Sequence, residues 1–248
     1  REAVLRLWHE YDTVLPEPED YLASHSPVIE ALLAMGFEVA VILANEPNIE
    51  CRKMSVAGFR DWHREARLLF RARFPHVEIV SAALSPNDAY QPWVWLDGLR
   101  DEYSQCDSVG AHFYLASGAD LVAGAPWSPE WMHGQFPDKR LRLTECGGGD
   151  GTPRSWRYAV YPQILRAWRN LPYMASLHVY LLSAEDERWE RLGHTYDDVV
   201  TLILGEIVKE PVDILEIIPE EDTLGKLTAA PEQWFDSPNY TAGRAKDI

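Results

Sequence analysis

Two carboxylates in this chain stand where a strand pattern ends. Val39-Ala-Val-Ile-Leu-Ala44 is a continuous apolar run, and Asn45-Glu46-Pro47 follows at once. Leu141-Arg-Leu-Thr144 reads as a second strand, and Glu145-Cys-Gly-Gly follows it. Strands buried on both faces of a parallel sheet are nearly continuously apolar, so each glutamate is expected at a C-terminal strand rim. Two such carboxyl groups, one kept protonated and one ionised, are the pair that cleavage of a sugar bond requires.

The elements that must position this pair alternate. Ala3–Trp8, Phe37–Ala44, Val77–Ala83, Ser108–Tyr114, Arg140–Thr144 and Ala175–Leu182 read as strands. Tyr21–Met35, stopped at Gly36, Ser55–Phe74, Trp93–Tyr103, Ser155–Arg169 and Tyr196–Ile207 read as helices. A long aromatic loop through Trp127 and Trp131 separates two of the strands. Glu17, Glu19 and Asp20 are expected to cap the first helix. Gly147-Gly-Gly-Asp-Gly151 reads as a flexible turn that lets substrate approach the backbone; it lacks the Lys-Ser/Thr of a phosphate loop, which argues against nucleotide binding. Alternation at this spacing implies βα units around a parallel sheet, an α/β fold. Pro211–Pro219 offers one more strand pattern, and the polar end from Glu232 to Ile248 reads as a linker or tail.

Composition sets the bounds. The chain has 248 residues, 46% of them hydrophobic, enough for one large barrel or two small domains. Its net charge of −16 argues against nucleic acid or an anionic membrane as the main partner, since both reward clustered Lys and Arg. Arg60, Arg64, Arg67, Arg71 and Arg73 share one expected helix and read as a solvated face. Ten tryptophans and eleven tyrosines are many for this length and suit a carbohydrate partner, because rigid aromatic faces stack on sugar rings. Cys51, Cys106 and Cys146 have neither an even framework nor metal-ligand spacing and read as free thiols. There is no signal-peptide pattern and no apolar run long enough to span a bilayer.

Three motifs carry a resemblance. Ala44-Asn-Glu-Pro-Asn48, Ala111-His-Phe-Tyr114 and Leu143-Thr-Glu-Cys-Gly147 are similar, in order and spacing, to strands four, six and seven of the large clan of retaining glycoside hydrolases built on (β/α) barrels. The resemblance covers roughly residues 1–190. It implies a (β/α)8 TIM barrel with Glu46 as general acid/base and Glu145 as nucleophile. It further implies that Asn45 binds the sugar 2-hydroxyl, that Tyr114 holds Glu145 ionised, and that His112 lines the floor near a Glu46 with a raised pKa. His9 fits the family's strand-three histidine better than Arg6, which reads equally well as a structural ion-pair partner. Trp127 and Trp131 would form a stacking platform, with a loop packed on its own aromatics as the even alternative. The strand Leu177–Leu182 lacks the family's terminal tryptophan, and Trp189 is the nearest substitute.

Only one helix fits between the first strand and Ala44, so that strand counts as the barrel's third. The expectation is a barrel over 1–210 holding strands three to eight, followed by an extension over 211–248. The chain opens on Arg1-Glu2 without an initiator Met, which fits a fragment. The first two strands are expected from an upstream segment, from another chain, or from Val212–Ile218, with the upstream origin favoured. The activity implied is retaining hydrolysis of a polysaccharide or oligosaccharide, with no metal or organic cofactor. The rivals are a non-catalytic glycan-binding barrel and a structural module of a larger assembly such as a virion tail or cell-surface complex. A secreted, cell-surface or virion setting is favoured over a cytoplasmic one.

Overall fold

The computed structural model describes residues 1–7, 14–115, 126–148 and 168–179. Their strands are β1 (Glu2–Leu7), β2 (Glu38–Leu43), β3 (Glu78–Val80), β4 (Ser108–Leu115), β5 (Arg140–Gly148) and β6 (Met174–Val179). The helices are α1 (Pro18–Ala34), α2 (Pro47–Glu50), α3 (Val56–Arg73), α4 (Pro92–Tyr103) and α5 (Pro129–Gln135). The sheet order is β1-β2-β3-β4-β5-β6, and β1 through β4 pair in parallel. The fold is therefore mixed α/β on a parallel sheet, as the alternation predicts; a closed eight-stranded barrel is not among the described residues. Most of the expected helix Ser155–Arg169, the helix Tyr196–Ile207 and everything in 211–248, including Val212–Ile218, lie outside them.

The chain divides into two compact units. The first holds Arg1–His112 and Met132–Thr144; the second holds the described residues of Phe113–Trp131 and those from Glu145 onward. In the first unit β2 is buried from Val39 to Leu43, as a strand covered on both faces must be. α3 buries Phe59, Trp62, His63, Ala66 and Phe70, the i, i+3, i+4, i+7 stripe of an amphipathic helix. Its N-cap Ser55 accepts from the Gly58 N–H at 3.0 Å, and Arg71 and Arg73 sit in its last turn, where cations complement the helix dipole. α1 starts with Pro18 and carries Glu19 and Asp20 in its first turn. Glu17 occupies its N-cap position but makes no side-chain cap bond, so only the dipole half of that expectation holds. Gly36, with φ of +80°, ends the helix in the left-handed conformation glycine adopts without strain.

Polar side chains lock the sheet. Arg142 on β5 is 1% exposed and forks onto Glu78 of β3, with Nε to Oε1 and Nη2 to Oε2 both at 2.7 Å. The same Nη2 reaches Glu2 of β1 at 2.5 Å. In a flat sheet β1 and β5 would stand roughly 19 Å apart, four strand spacings. One guanidinium cannot bridge that gap, so the sheet curls, and side chains of alternate strands meet inside the curl as in the layers of a barrel interior.

Four expectations need correction. The arginines of α3 are not a purely solvated face: Arg67 Nε donates to Glu102 at 2.7 Å, Arg64 lies 3.7 Å from Glu102, Arg60 and Arg73 pair with Asp61 and Glu30, and Arg71 pairs with Asp107. The buried Glu102 carboxylate on α4 draws Arg64 and Arg67 in. β3 is shorter than Val77–Ala83 because β4 comes too close: a Cβ on Gly110 would lie 2.4 Å from the Ser81 carbonyl oxygen, and Ser81 Oγ accepts the Gly110 N–H that a longer ladder would use. β5 runs on through Gly148, so Gly147 and Gly148 belong to the strand and Glu145 lies within it; neighbours on both sides, β4 and β6, extend the pairing. The loop with Trp127 and Trp131 contains α5, which starts at Pro129 and carries Trp131.

Candidate active site

Glu46 sits on a strained turn. Ala44 has φ of 73° and Glu46 has φ of 27°, both outside the regions that non-glycine residues favour. Such strain costs on the order of 1–3 kcal/mol per residue and persists where surrounding structure enforces it, often at functional positions. Here β2 pins one side of the turn and α2 the other, with the Glu46 carbonyl accepting from Ile49 and Glu50 at 2.7 and 2.8 Å. Pro47 opens α2, a position that needs no N–H donor. The turn thus holds Glu46 where β2 ends, at the C-terminal rim.

The side chains around it are specified. His112, wholly buried on β4, places Nδ1 3.0 Å from Glu46 Oε1, and the Glu46 side chain is 12% exposed. An imidazole nitrogen can accept a proton-bearing carboxyl or donate to a carboxylate, so this contact survives either state of Glu46. Asn45 is 7% exposed, and its amide is oriented from both sides: Nδ2 donates to Glu50 Oε1 at 2.7 Å, and Oδ1 faces Arg6 Nη1 at 3.4 Å. That leaves one Nδ2 proton of Asn45 for a ligand. Arg6 therefore serves as a partner for Asn45. On the neighbouring loop, Asn48 clamps the chain after β3: its Nδ2 donates to the Ser85 carbonyl and its Oδ1 accepts from the Ser85 N–H, both at 2.9 Å.

In the second unit Glu145 is 6% exposed and accepts the Tyr114 hydroxyl in a short hydrogen bond to Oε2. A carboxylate that accepts hydrogen bonds is favoured in its ionised form. Cys146, next in sequence, points its Sγ to the His178 carbonyl of β6 at 3.2 Å, which anchors the strand on the side away from Tyr114's partner. Trp127 is 6% exposed with φ of 70°, and Trp131 packs on it at 5.2 Å between ring centroids, 48° apart in tilt. The pair is thus packed on itself, with Trp131 half-buried. His9 and Trp189 lie outside the described residues. The three cysteines are buried and form no disulfide. Burial, and then the Glu50 charge, pushes the Cys51 thiol up to about 12; burial, and then Glu102, does the same to Cys106, so neither is a nucleophile near neutral pH.

Sequence reasoning passed over Glu50 and the Asn48 clamp. Glu50 carries a legible signal, since it lies four residues after Glu46 on a turn of helix opened by proline. The Asn48–Ser85 contact joins loops 37 positions apart and leaves no local trace. Glu46, His112 and Glu145 are also of the types that hold a divalent cation. His112 Nδ1 and one Glu145 oxygen are, however, already engaged by Glu46 and Tyr114.

No protein-family model matches the sequence, and no curated protein does. Solved structures do match. A GH128 (subgroup II) endo-β-1,3-glucanase from Sorangium cellulosum aligns over 86% of this chain and 82% of its own, at 17% identity and a TM-score of 0.55. A GH128 (subgroup I) endo-β-1,3-glucanase from Amycolatopsis mediterranei, in complex with laminaripentaose, aligns over 81% of both chains at 17% identity and a TM-score of 0.57. A curdlan-specific GH128 (subgroup III) exo-β-1,3-glucanase from Blastomyces gilchristii aligns over 80% of both at 16% identity and a TM-score of 0.55. At these identities the likeness is one of fold: this chain is built like the β-1,3-glucanases.

Proposed function

We propose that the protein is a retaining glycoside hydrolase that cleaves a β-1,3-glucan. One observation carries the reading. β4 supplies both carboxylate partners, His112 for Glu46 and Tyr114 for Glu145. Each carboxylate thus has its own fixed hydrogen-bond partner, Glu46 in the first unit and Glu145 in the second. A chance glutamate has no reason to be held in this way. The fold of the β-1,3-glucanases supports the substrate class, and the two held carboxylates, Glu46 after β2 and Glu145 within β5, support the reaction.

In the reaction, the Glu145 carboxylate attacks the anomeric carbon, and the bond from that carbon to the leaving oxygen breaks. The Glu46 proton goes to that oxygen. A water molecule then attacks the same carbon, gives its proton to Glu46 and releases Glu145. His112 is a positioning residue that keeps the Glu46 carboxyl aimed through both protonation states. Asn45, oriented by Arg6 and Glu50, offers its remaining N–H to the 2-hydroxyl. Retention requires the two carboxyl groups about 5–5.5 Å apart.

The test is hydrolysis of curdlan and of laminarihexaose with NMR detection of the first anomer released. A β product supports retention, and an α product rejects it. Glu145→Gln should abolish turnover of every glycoside. Glu46→Ala should lose natural substrates while still being glycosylated by those with an activated leaving group; equal losses on both would remove Glu46 from the acid's role. The metal reading predicts that EDTA abolishes activity, and the two-carboxylate reading predicts no effect.

A further inference from the structure

The segment after β3 carries an aromatic ridge that the reaction does not use. Trp93, at the start of α4, is 44% exposed, and Val94 beside it is 56% exposed. A single exposed apolar residue needs no explanation. Trp93 differs because its orientation is set: its Nε1 donates to Asp88 Oδ1 at 3.3 Å, across the 3-10 turn Asp88–Tyr90. That turn is itself built for rigidity. Asn87 caps it by accepting the Ala89 N–H at 3.0 Å, and Gln91 closes it with φ of 50°, a left-handed conformation unusual for glutamine. Surrounding structure must hold such a turn in place, and strain of this kind gathers at functional sites.

The ridge also belongs to the Glu46 rim. β3 is parallel to β2, so the loops that leave them emerge on the same side. The Asn48 clamp ties the first residues of the ridge loop to α2, directly after Glu46. Farther along, the Arg52 guanidinium lies over the Tyr90 ring, 6.0 Å from its centroid. The acid's turn and the ridge are thus fastened at two points. Along the ridge, a fixed indole stands next to a carboxylate, Asp88, and an exposed amide, Gln91. A sugar ring has an apolar face of C–H bonds and an equator of hydroxyls, and this is the set of groups that matches both.

Resting on the glucanase reading, we propose that Trp93, with Asp88 and Gln91, forms a distal subsite that holds a glucosyl unit of the polysaccharide away from the bond being cleaved. Such a subsite makes the protein select long chains. The test uses the full chain carrying Glu145→Gln, so that ligand survives, and titrates laminaritriose and laminarihexaose by calorimetry. Trp93→Ala should weaken laminarihexaose binding about three- to tenfold, the range of one aromatic stacking contact. It should weaken laminaritriose binding by less. Trp93→Phe should recover most of the loss, and thermal melts should show all variants folded. Equal weakening for both chain lengths, or none for the hexasaccharide, overturns the subsite and leaves the glucanase reading standing. Failure of the Trp93-intact protein to bind or cleave any β-1,3-glucan overturns the glucanase reading and the subsite with it.

Discussion

Tyr114→Phe removes one hydroxyl and leaves the ring, so it isolates the hydrogen bond to Glu145. Tyr114 is half-buried and Glu145 is nearly fully buried, so water replaces the lost donor poorly. A hydrogen bond to a charged group contributes about 1.5–3 kcal/mol, against about 0.5–1.5 for a neutral one. If the hydroxyl aims the nucleophile, most of that charged-group contribution, about 1.5–3 kcal/mol, appears in the barrier to glycosylation. Since about 1.36 kcal/mol is a factor of ten in rate, kcat/KM should fall roughly 10- to 150-fold. The assay is initial-rate hydrolysis of laminarihexaose, together with the burst of leaving group from an aryl β-glucoside, which reports glycosylation alone. Both should fall by the same factor, with little change in melting temperature. A loss below threefold would mean that Tyr114 does not position the nucleophile. A loss matched by a large drop in melting temperature would mean that the hydroxyl is structural.

Arg142→Met should destabilise the protein by about 1.5–3 kcal/mol, the loss of charged hydrogen bonds to the partly exposed Glu78 and Glu2, read as a shift in urea midpoint. Adding Glu78→Gln to Arg142→Met should restore part of the loss; no restoration would mean that Arg142 acts through packing alone. The α3–α4 network predicts a two-step acid response. Burial holds His63 below its ordinary pKa despite its bond to Glu102, so the unfolded chain takes up a proton there first and stability declines as pH falls through about 6.5. Burial alone would raise Glu102, but hydrogen bonds from His63 and Arg67 outweigh it and hold the carboxyl below its ordinary value. Its contribution is complete above about pH 4.3 and is lost as pH falls towards the folded pKa. Urea midpoints between about pH 2 and pH 7.5 read both steps, and His63→Gln should erase the upper one.

How far the sequence carried depended on whether a feature is local. The apolar runs ending at Leu43 and Leu143 are local, and a strand formed on each, the second running on past its pattern to Gly148. Glu46 was visible because a proline and a strand end bracket it. The α3 stripe was visible for the same reason, its period of 3.6 residues being written in one segment. The fate of Arg64 and Arg67 was not, because their partner Glu102 sits on the next helix, 35 residues past Arg67. Nothing in a run of arginines tells whether a carboxylate is buried across from it. Trp131 was assigned to a loop because the seven residues of α5 are too short to show a period.

The curl of the sheet shows how the non-local contacts do the positioning. A parallel sheet alone could be open or closed, and the sequence pattern of its strands is the same in both. Arg142 distinguishes the two, because a single side chain touches β1, β3 and β5 only if those strands turn toward one another. Its contacts involve Glu2 and Glu78, which begin their strands, so they fasten the N-terminal end of the sheet. The groups of the proposed chemistry gather at the C-terminal end, where Glu46 and His112 are held by hydrogen bonds that the same curl brings within reach. Stability and chemistry thus sit at opposite ends of the same strands, which is the division of labour found in barrel enzymes. It follows that Arg142→Met should lower stability and activity differently. In the fraction that stays folded, the Glu46–His112 contact joins β2 to β4, while the Arg142 side chain holds Glu78 of β3 and Glu2 of β1. Turnover per folded molecule on laminarihexaose should therefore stay within about threefold of the parent while the urea midpoint drops, since contacts far apart add nearly independently. A proportional fall in turnover per folded molecule would show that the curl is not merely supported at one end but tuned from it.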